Sequence, residues 1–290
     1  MAGGKRQFLL LKDSWLHKCV LRKVILANSA RACYTDAVAK LAAMRMNEGE
    51  RNTDITTVLF DLDGTLLPMD QDAFTRAYFS LLVQKLAPYG YEKQKLIDGI
   101  WQGTAAMVKN DGSRTNAEAF WETFERIFGE KTRADQPLFD AFYREEFQQA
   151  AGQCGYNPQA AETVRWLKRA GLRVALATNP IFPACATCSR IRWAGLAPEE
   201  FEAYTAYENT SYCKPNPQYY LALAQRLSVA PQHCLMVGND VQEDMAARFA
   251  GMKVFLLTDC LINKQDEEIA AYPSGGFAQL REYIQRGMEL

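Results

Sequence analysis

Residues 58–66 read Val-Leu-Phe-Asp-Leu-Asp-Gly-Thr-Leu: an apolar run breaks into two carboxylates one residue apart, then a glycine and a hydroxyl. Carboxylates crowded in this way repel unless a cation sits between them, and a hard divalent metal with oxygen ligands meets that need. Gly64 permits a sharp turn just behind Asp61 and Asp63. The spacing is not that of an EF-hand calcium loop, which needs glycine at its sixth position and glutamate at its twelfth. Those positions hold Leu66 and Asp72. Three later stretches carry complementary groups: Thr178-Asn179, Lys214 in Lys-Pro-Asn-Pro, and Asp240 with Asp244 in Gly-Asn-Asp-Val-Gln-Glu-Asp. Taken singly, Lys214 is an ordinary loop lysine and Thr178 an ordinary strand end. Their joint occurrence in this order is what points to a site.

The elements around them must place these groups together. Residues 57–60 read as a buried strand of parallel type, ending where open α/β sheets hold ligands. Asp70 to Asp72 supply a helix cap for an amphipathic helix over 72–87, broken by Pro88-Tyr89-Gly90. Further helices are expected at 93–109, 116–129 and 137–150. About eighty residues with no convincing strand therefore follow the acidic turn. We expect them to form a small helical module over the site, able to exclude water and to contact substrate. Candidates for its inner face are Tyr78, Trp101, Lys109, Arg114, Trp121 and Arg126.

From 159 onward the pattern alternates: helix 159–170, strand 173–178, helix 182–194, strand 201–205, helix 216–228, strand 234–237, helix 241–250, strand 253–257. Strands separated by helices of this length specify a parallel sheet with helices on both faces. All its carboxyl ends lie along one edge, so 61–65, 178–179 and 238–244 can converge. The tail, 266–289, reads as one or two short helices.

The chain of 290 residues is globular in composition, with 48% hydrophobic and 23% charged residues, and its net charge of −1 gives no reason to expect a nucleic-acid or membrane partner. No apolar run approaches the roughly 20 residues that span a bilayer. The average hides an asymmetry, because residues 1–51 hold ten Lys/Arg against four acids. Residues 8–11 are too short an apolar run for a secretory signal, and Leu11, Trp15, Cys19, Val20 and Val24 fit one face of a helix. A basic amphipathic helix suits a membrane surface, a transit peptide or a partner-binding arm. We expect instead an overextended start or a loosely attached appendage, with Met44 and Met46 just ahead of the strand. Eight scattered cysteines suit reduced thiols in a cytoplasmic protein. Cys185-Ala-Thr-Cys188 has no second pair to complete a zinc site, and its helical spacing suggests buried small residues.

Asp61-Leu-Asp-Gly-Thr65, Thr178, Lys214 and Gly238-Asn-Asp-x-x-x-Asp244 together resemble the four motifs of the haloacid dehalogenase superfamily of phosphatases, across about residues 55–260. The resemblance implies an α/β fold, a doubly wound, Rossmann-like parallel sheet with a small all-helical cap inserted after the first motif. It implies a core of 52–70 and 155–290 and a cap of 71–154, which leaves 1–51, by its charge, as a basic N-terminal extension. It makes Asp61 the nucleophile that takes up the phosphoryl group as an aspartyl-phosphate. Asp63 becomes the general acid/base. Mg²⁺ would be held by the Asp61 carboxylate, the Asp63 main-chain carbonyl and the Asp240 carboxylate, with Asp244 in support. Thr65, Thr178, Asn179 and Lys214 would hold phosphate oxygens or offset their charge.

True haloacid dehalogenases resemble the chain but lack an aspartate at the position of Asp63. P-type ATPases carry lysine where this chain has Leu62, and have transmembrane helices. Sugar phosphomutases share the cap; Thr65 follows the phosphatase pattern more often. A non-catalytic phosphate-binding or docking protein is the reading from another class, and the matched positions show no degeneration that would favour it. The expected activity is hydrolysis of a small phosphorylated metabolite.

Overall fold

The computed structural model describes residues 55–288. The expectations for residues 1–51 lie outside the described residues. Thr57–Phe60 (β1) is wholly buried and lies inside a parallel sheet, second from one edge. Arg173–Leu176 (β2) pairs on one side of it, and Cys234–Gly238 (β3), Lys253–Leu257 (β4) and Ser274–Gly275 (β5) follow on the other, giving the order β2-β1-β3-β4-β5. The strand order reverses at β1, and ligands of open α/β sheets lie at such switch points, beyond the carboxyl ends of the strands.

Strand periodicity sends alternate side chains to opposite faces. Val58 and Phe60 join Val174, Leu176, Leu235 and Val237 in one core. That core is closed by Pro158–Arg169 (α5 in chain order) and the terminal helix Phe277–Met288 (α8). Leu59, Ala175 and Met236 face the other way, against Pro217–Arg226 (α7) and the turn Met245–Ala250. Both faces of the sheet are thus covered.

Between β1 and β2 run Gln71–Leu86 (α1), Lys93–Val108 (α2), Asn116–Phe128 (α3) and Lys131–Arg144 (α4), then a 3-10 stretch Glu146–Gln153. Asp70 caps α1 by accepting the Ala73 N–H at 2.9 Å, and Thr115 with Glu118 forms a capping box on α3. The chain leaves and rejoins the sheet side by side: Met69 bridges to Cys154, and the Gly155 N–H donates to the Pro68 carbonyl at 2.6 Å. These helices share an aromatic-rich core that also takes in Ala186, Cys213, Ile181 and Phe182 from beyond β2.

Several expected elements differ. Helix α4 begins at Lys131 rather than 137 and carries Pro137 inside it, tolerating one lost backbone bond because Phe139 and Phe142 are buried beyond it. Residues 201–205 make a single parallel bridge, Leu176 to Tyr204, rather than a strand. The expected helix 241–250 is turns followed by 3-10 structure. The tail holds a strand, β5, as well as the helix α8. Helix Ala184–Trp193 (α6) buries Ala186, Thr187, Ser189, Arg190 and Ile191, so Cys185 is exposed and Cys188 half-buried, both free, contrary to the expected buried pair.

Candidate active site

Asp61 follows β1 directly, its N–H donating to the Val237 carbonyl at 2.9 Å. Asn239 and Asp240 follow β3, and Thr178 and Asn179 lie just past β2. The expected site residues therefore meet at one edge of the sheet. Lys214 is buried between two of them: its Nζ donates to Asp61 Oδ1 at 2.8 Å and to Asp244 Oδ1 at 2.6 Å. The Lys214–Pro215 peptide is cis. Asp244 Oδ2 in turn accepts the Asp240 N–H at 2.9 Å. A Cβ on Gly238 would stand 2.1 Å from that same oxygen, so the strand end must be glycine for Asp244 to fold back.

Thr65 Oγ1 lies 2.9 Å from Asn239 Oδ1 and 3.3 Å from Asp61 Oδ2. Gly64 has φ of +86° and a Cβ there would lie 2.3 Å from the Asn239 amide nitrogen, two independent reasons for glycine. The Asp240 Oδ1 accepts the main-chain N–H groups of Gln242 and Glu243, both at 2.9 Å. The Thr178 carbonyl is pinned by Thr205 Oγ1 at 2.7 Å and the Tyr219 hydroxyl at 2.8 Å.

Two residues enter that sequence patterns did not single out. Arg190 is fully buried on α6 and donates from Nη1 to Asp63 Oδ2, while its guanidinium lies 4.5 Å from the centre of the Phe182 ring. Glu243 accepts the Asn179 side-chain amide at 3.0 Å. Both are invisible to spacing: Arg190 is one of two arginines on its helix, and Glu243 sits between the two aspartates that carry the motif. Two buried oxygens, Asp63 Oδ1 and Asn179 Oδ1, have no hydrogen-bond partner. Buried polar atoms are normally paired, so these are places where a bound group can make a bond.

Burial pushes the Asp61 carboxyl up to about 8; Lys214 opposes the rise, and Asp244 and Asp63 add to it. Burial likewise raises Asp63 against the pull of Arg190 and Lys214. It raises Glu243 to about 7, with Asp240 adding repulsion. For Lys214 burial works to lower the ammonium, but Asp244 and Asp61 outweigh it and the net effect is upward. Asp61, Asp63, Asp244 and Glu243 thus share the field of Lys214, with Arg190 as a second cation on Asp63. Among the described residues no three His, Cys, Asp or Glu side chains gather as a metal site. A metal held at this edge would need a main-chain oxygen beside the Asp61 and Asp240 carboxylates.

A cavity of about 210 Å³ opens on this edge, bounded by Asp61, Asp63, Asn179 and Asp240 on the sheet side and by α1, α2 and α3 opposite. Of the residues expected on the helical inner face, Tyr78, Trp101 and Trp121 line it. Lys109, Arg114 and Arg126 do not: Lys109 is exposed, Arg114 pairs with Glu122, and Arg126 bonds Thr123 at 2.9 Å.

The class these features define is an α/β protein whose parallel sheet gathers carboxylates and a buried lysine beyond the carboxyl ends of its strands. The sequence matches the family model of haloacid dehalogenase-like hydrolases over residues 55–251. The chain belongs to that family, within its phosphatases. Its relatives include a phosphoglycolate phosphatase of Shigella dysenteriae, 28% identical over 68% of this chain and 79% of that one. Another, from Agrobacterium fabrum, is 27% identical over 67% and 76%. Among solved structures, a protein described as a 2-haloacid dehalogenase of Pseudomonas syringae superposes with a TM-score of 0.54 at 22% identity, covering 80% of this chain and 99% of that one. That likeness concerns the fold. No helix among the described residues is long and apolar enough to cross a membrane.

Proposed function

We propose that the chain is a Mg²⁺-dependent phosphomonoester hydrolase that works through an aspartyl-phosphate on Asp61. The observation that carries this reading is the buried Lys214 ammonium, shared between Asp61 and Asp244 and accompanied by an Asp63 with an unpaired buried oxygen. In the first step an Asp61 carboxylate oxygen attacks phosphorus in line, forming the acyl phosphate as the ester P–O bond breaks. Asp63 gives its proton to the departing alkoxide, producing the alcohol. In the second step Asp63, now ionised, takes a proton from water; the water oxygen attacks phosphorus, and inorganic phosphate leaves with Asp61 restored. Lys214 balances the added negative charge, while the Thr65 and Thr178 hydroxyls and the Asn179 amide hold phosphate oxygens.

The donors suit a hard cation, being oxygens only: the Asp61 and Asp240 carboxylates and the Asp63 carbonyl. Mg²⁺ bound there supplies electrostatic stabilisation of the transferring phosphoryl group. Asp240 is held ready by the two N–H bonds to its Oδ1, and Asp244 steadies both Lys214 and the Asp240 backbone. The substrate is a small phosphorylated metabolite, the helical segment 71–154 acts as the cap over it, and six free cysteines among the described residues favour a reducing, cytoplasmic setting.

The test is phosphate release from a generic phosphomonoester. Asp61→Asn removes the nucleophile and is expected to lower kcat by at least about a thousandfold, toward the level left by positioning groups alone. Chelation is expected to abolish activity, with Mg²⁺ restoring it. Robust turnover by the variant, or by chelator-treated enzyme, overturns the mechanism.

A further inference from the structure

The cavity wall opposite the phosphate edge is aromatic and carries almost no positive charge. Phe79, Trp101, Phe120, Trp121, Ile181 and Phe182 line it. Among the described residues lining the cavity, Lys264 is the only Lys or Arg, and its field acts on Asp240, at the polar end. The three cations that the sequence offered for the helical face, Lys109, Arg114 and Arg126, are turned to other uses or to solvent. Glu243 also lines the cavity, but at the polar end, where it accepts the Asn179 amide. A carboxylate held beyond the phosphate, against this wall, would sit among aromatic rings and away from Lys264 at the polar end, with no cation beside it to offset its desolvation. An apolar cavity of about 150 Å³ takes up benzene, so a site of about 210 Å³ has room for a ring beside the phosphate. Among the buried donors that line it, the Trp101 indole N–H has no hydrogen-bond partner, and it suits an uncharged oxygen.

We propose that this enzyme selects phosphate esters of uncharged, ring-bearing alcohols and discriminates against esters whose alcohol carries a second anion. The proposal rests on the phosphatase reading and goes beyond it, because the relatives named above are phosphoglycolate phosphatases. Aromatic side chains at 79, 101 and 121 supply the binding area. The Arg190 guanidinium, which stacks on Phe182, is already engaged by Asp63 and is not spare for a substrate carboxylate.

The experiment measures kcat/KM of the whole chain with Mg²⁺ on three primary-alkyl esters of similar intrinsic reactivity: 2-phenylethyl phosphate, ethyl phosphate and phosphoglycolate. Burying a phenyl ring predicts an advantage of about ten- to a hundredfold for 2-phenylethyl phosphate over the other two. An advantage of more than threefold over both supports the proposal. An advantage of threefold or less over either, with phosphate still released, overturns the proposal and leaves the phosphatase reading intact. Release from none of the three overturns the phosphatase reading itself. As a second arm, Thr104→Arg places a guanidinium on the half-buried wall. It is expected to move the ratio at least tenfold toward phosphoglycolate, and a folded variant with an unchanged ratio counts against the proposal.

Discussion

Arg190 has no exposed surface, yet its charge serves an aspartate 127 positions away in the sequence. It also bonds Thr187 Oγ1 and the Ala186 carbonyl, each at 3.4 Å, so its fork is fixed on Asp63 rather than free. Burial raises the Asp63 carboxyl and Arg190 lowers it. Removing the guanidinium with Arg190→Met therefore sends it higher. The proposed second step needs Asp63 ionised, so the acid limb of the kcat–pH profile is expected to move to higher pH. Where neutral pH falls on that limb, a move of one pH unit lowers the rate about tenfold. Circular dichroism at each pH separates this from misfolding, and an unmoved limb refutes the role. That Asp61, Lys214, Asp240 and Asp244 would converge was legible, because their order along alternating strands and helices sets them on one sheet edge. Arg190 was not, because nothing near it in the chain reveals which carboxylate it will meet.

Helix α2 shows what patterning leaves out at the scale of elements. Gly99 and Gly103 are buried on it, and each allows a ring of α3 to approach: a Cβ would lie 2.6 Å from Phe128 Cε2 at the first and 2.4 Å from Phe120 Cδ2 at the second. Gly-to-Ala in a helix interior ordinarily stabilises by about 0.5–1 kcal/mol. Overpacking a tight contact costs about 1–3 kcal/mol. For Gly103→Ala the second effect wins, because Phe120 is also held by Phe124 at 5.5 Å and Trp121 at 5.3 Å between ring centres. Chemical denaturation is expected to show a net loss of about 1–2 kcal/mol, and a gain would mean the rings yield freely. Helices α1 to α3 were legible from apolar spacing and caps. The start of α4 was not, because Pro137 reads as a boundary while the burial of Thr132 draws the helix back to Lys131. The 3-10 path after Asp240 was hidden for a similar reason. Its geometry is set by Asp240 and Asp244 bonding backbone, not by side-chain periodicity.

For the molecule as a whole, continuous apolar strands between helices were enough to give a parallel sheet covered on both faces. They were not enough to give the neighbours of each strand, since periodicity reports which faces are buried and not which edges pair; β5, two residues long, carries no pattern at all. The strand order nevertheless decides the electrostatics. Placing β1 beside β3 brings Asp61 against Asp240 and Asp244, so folding itself confines carboxylates that the unfolded chain keeps apart and hydrated. Lys214 offsets part of that repulsion and the proposed Mg²⁺ offsets more. A ligand that binds only the folded state stabilises it by RT ln(1 + [L]/Kd), about 2.7 kcal/mol at a hundred times Kd. For a domain of this size that amounts to a rise in Tm of roughly 5–10 °C. Mg²⁺ is expected to raise Tm in the wild type by this amount and to lose most of the effect in Asp240→Asn. That variant keeps an oxygen for the Gln242 and Glu243 N–H groups and removes one of the crowded charges, so its metal-free Tm is expected to match or exceed that of the metal-free wild type. Scanning calorimetry of both proteins, with and without metal, measures this directly. An Asp240→Asn protein that still gains the full increment from Mg²⁺ would show that the cation binds elsewhere, and that the repulsion stored at this sheet edge is met by Lys214 alone.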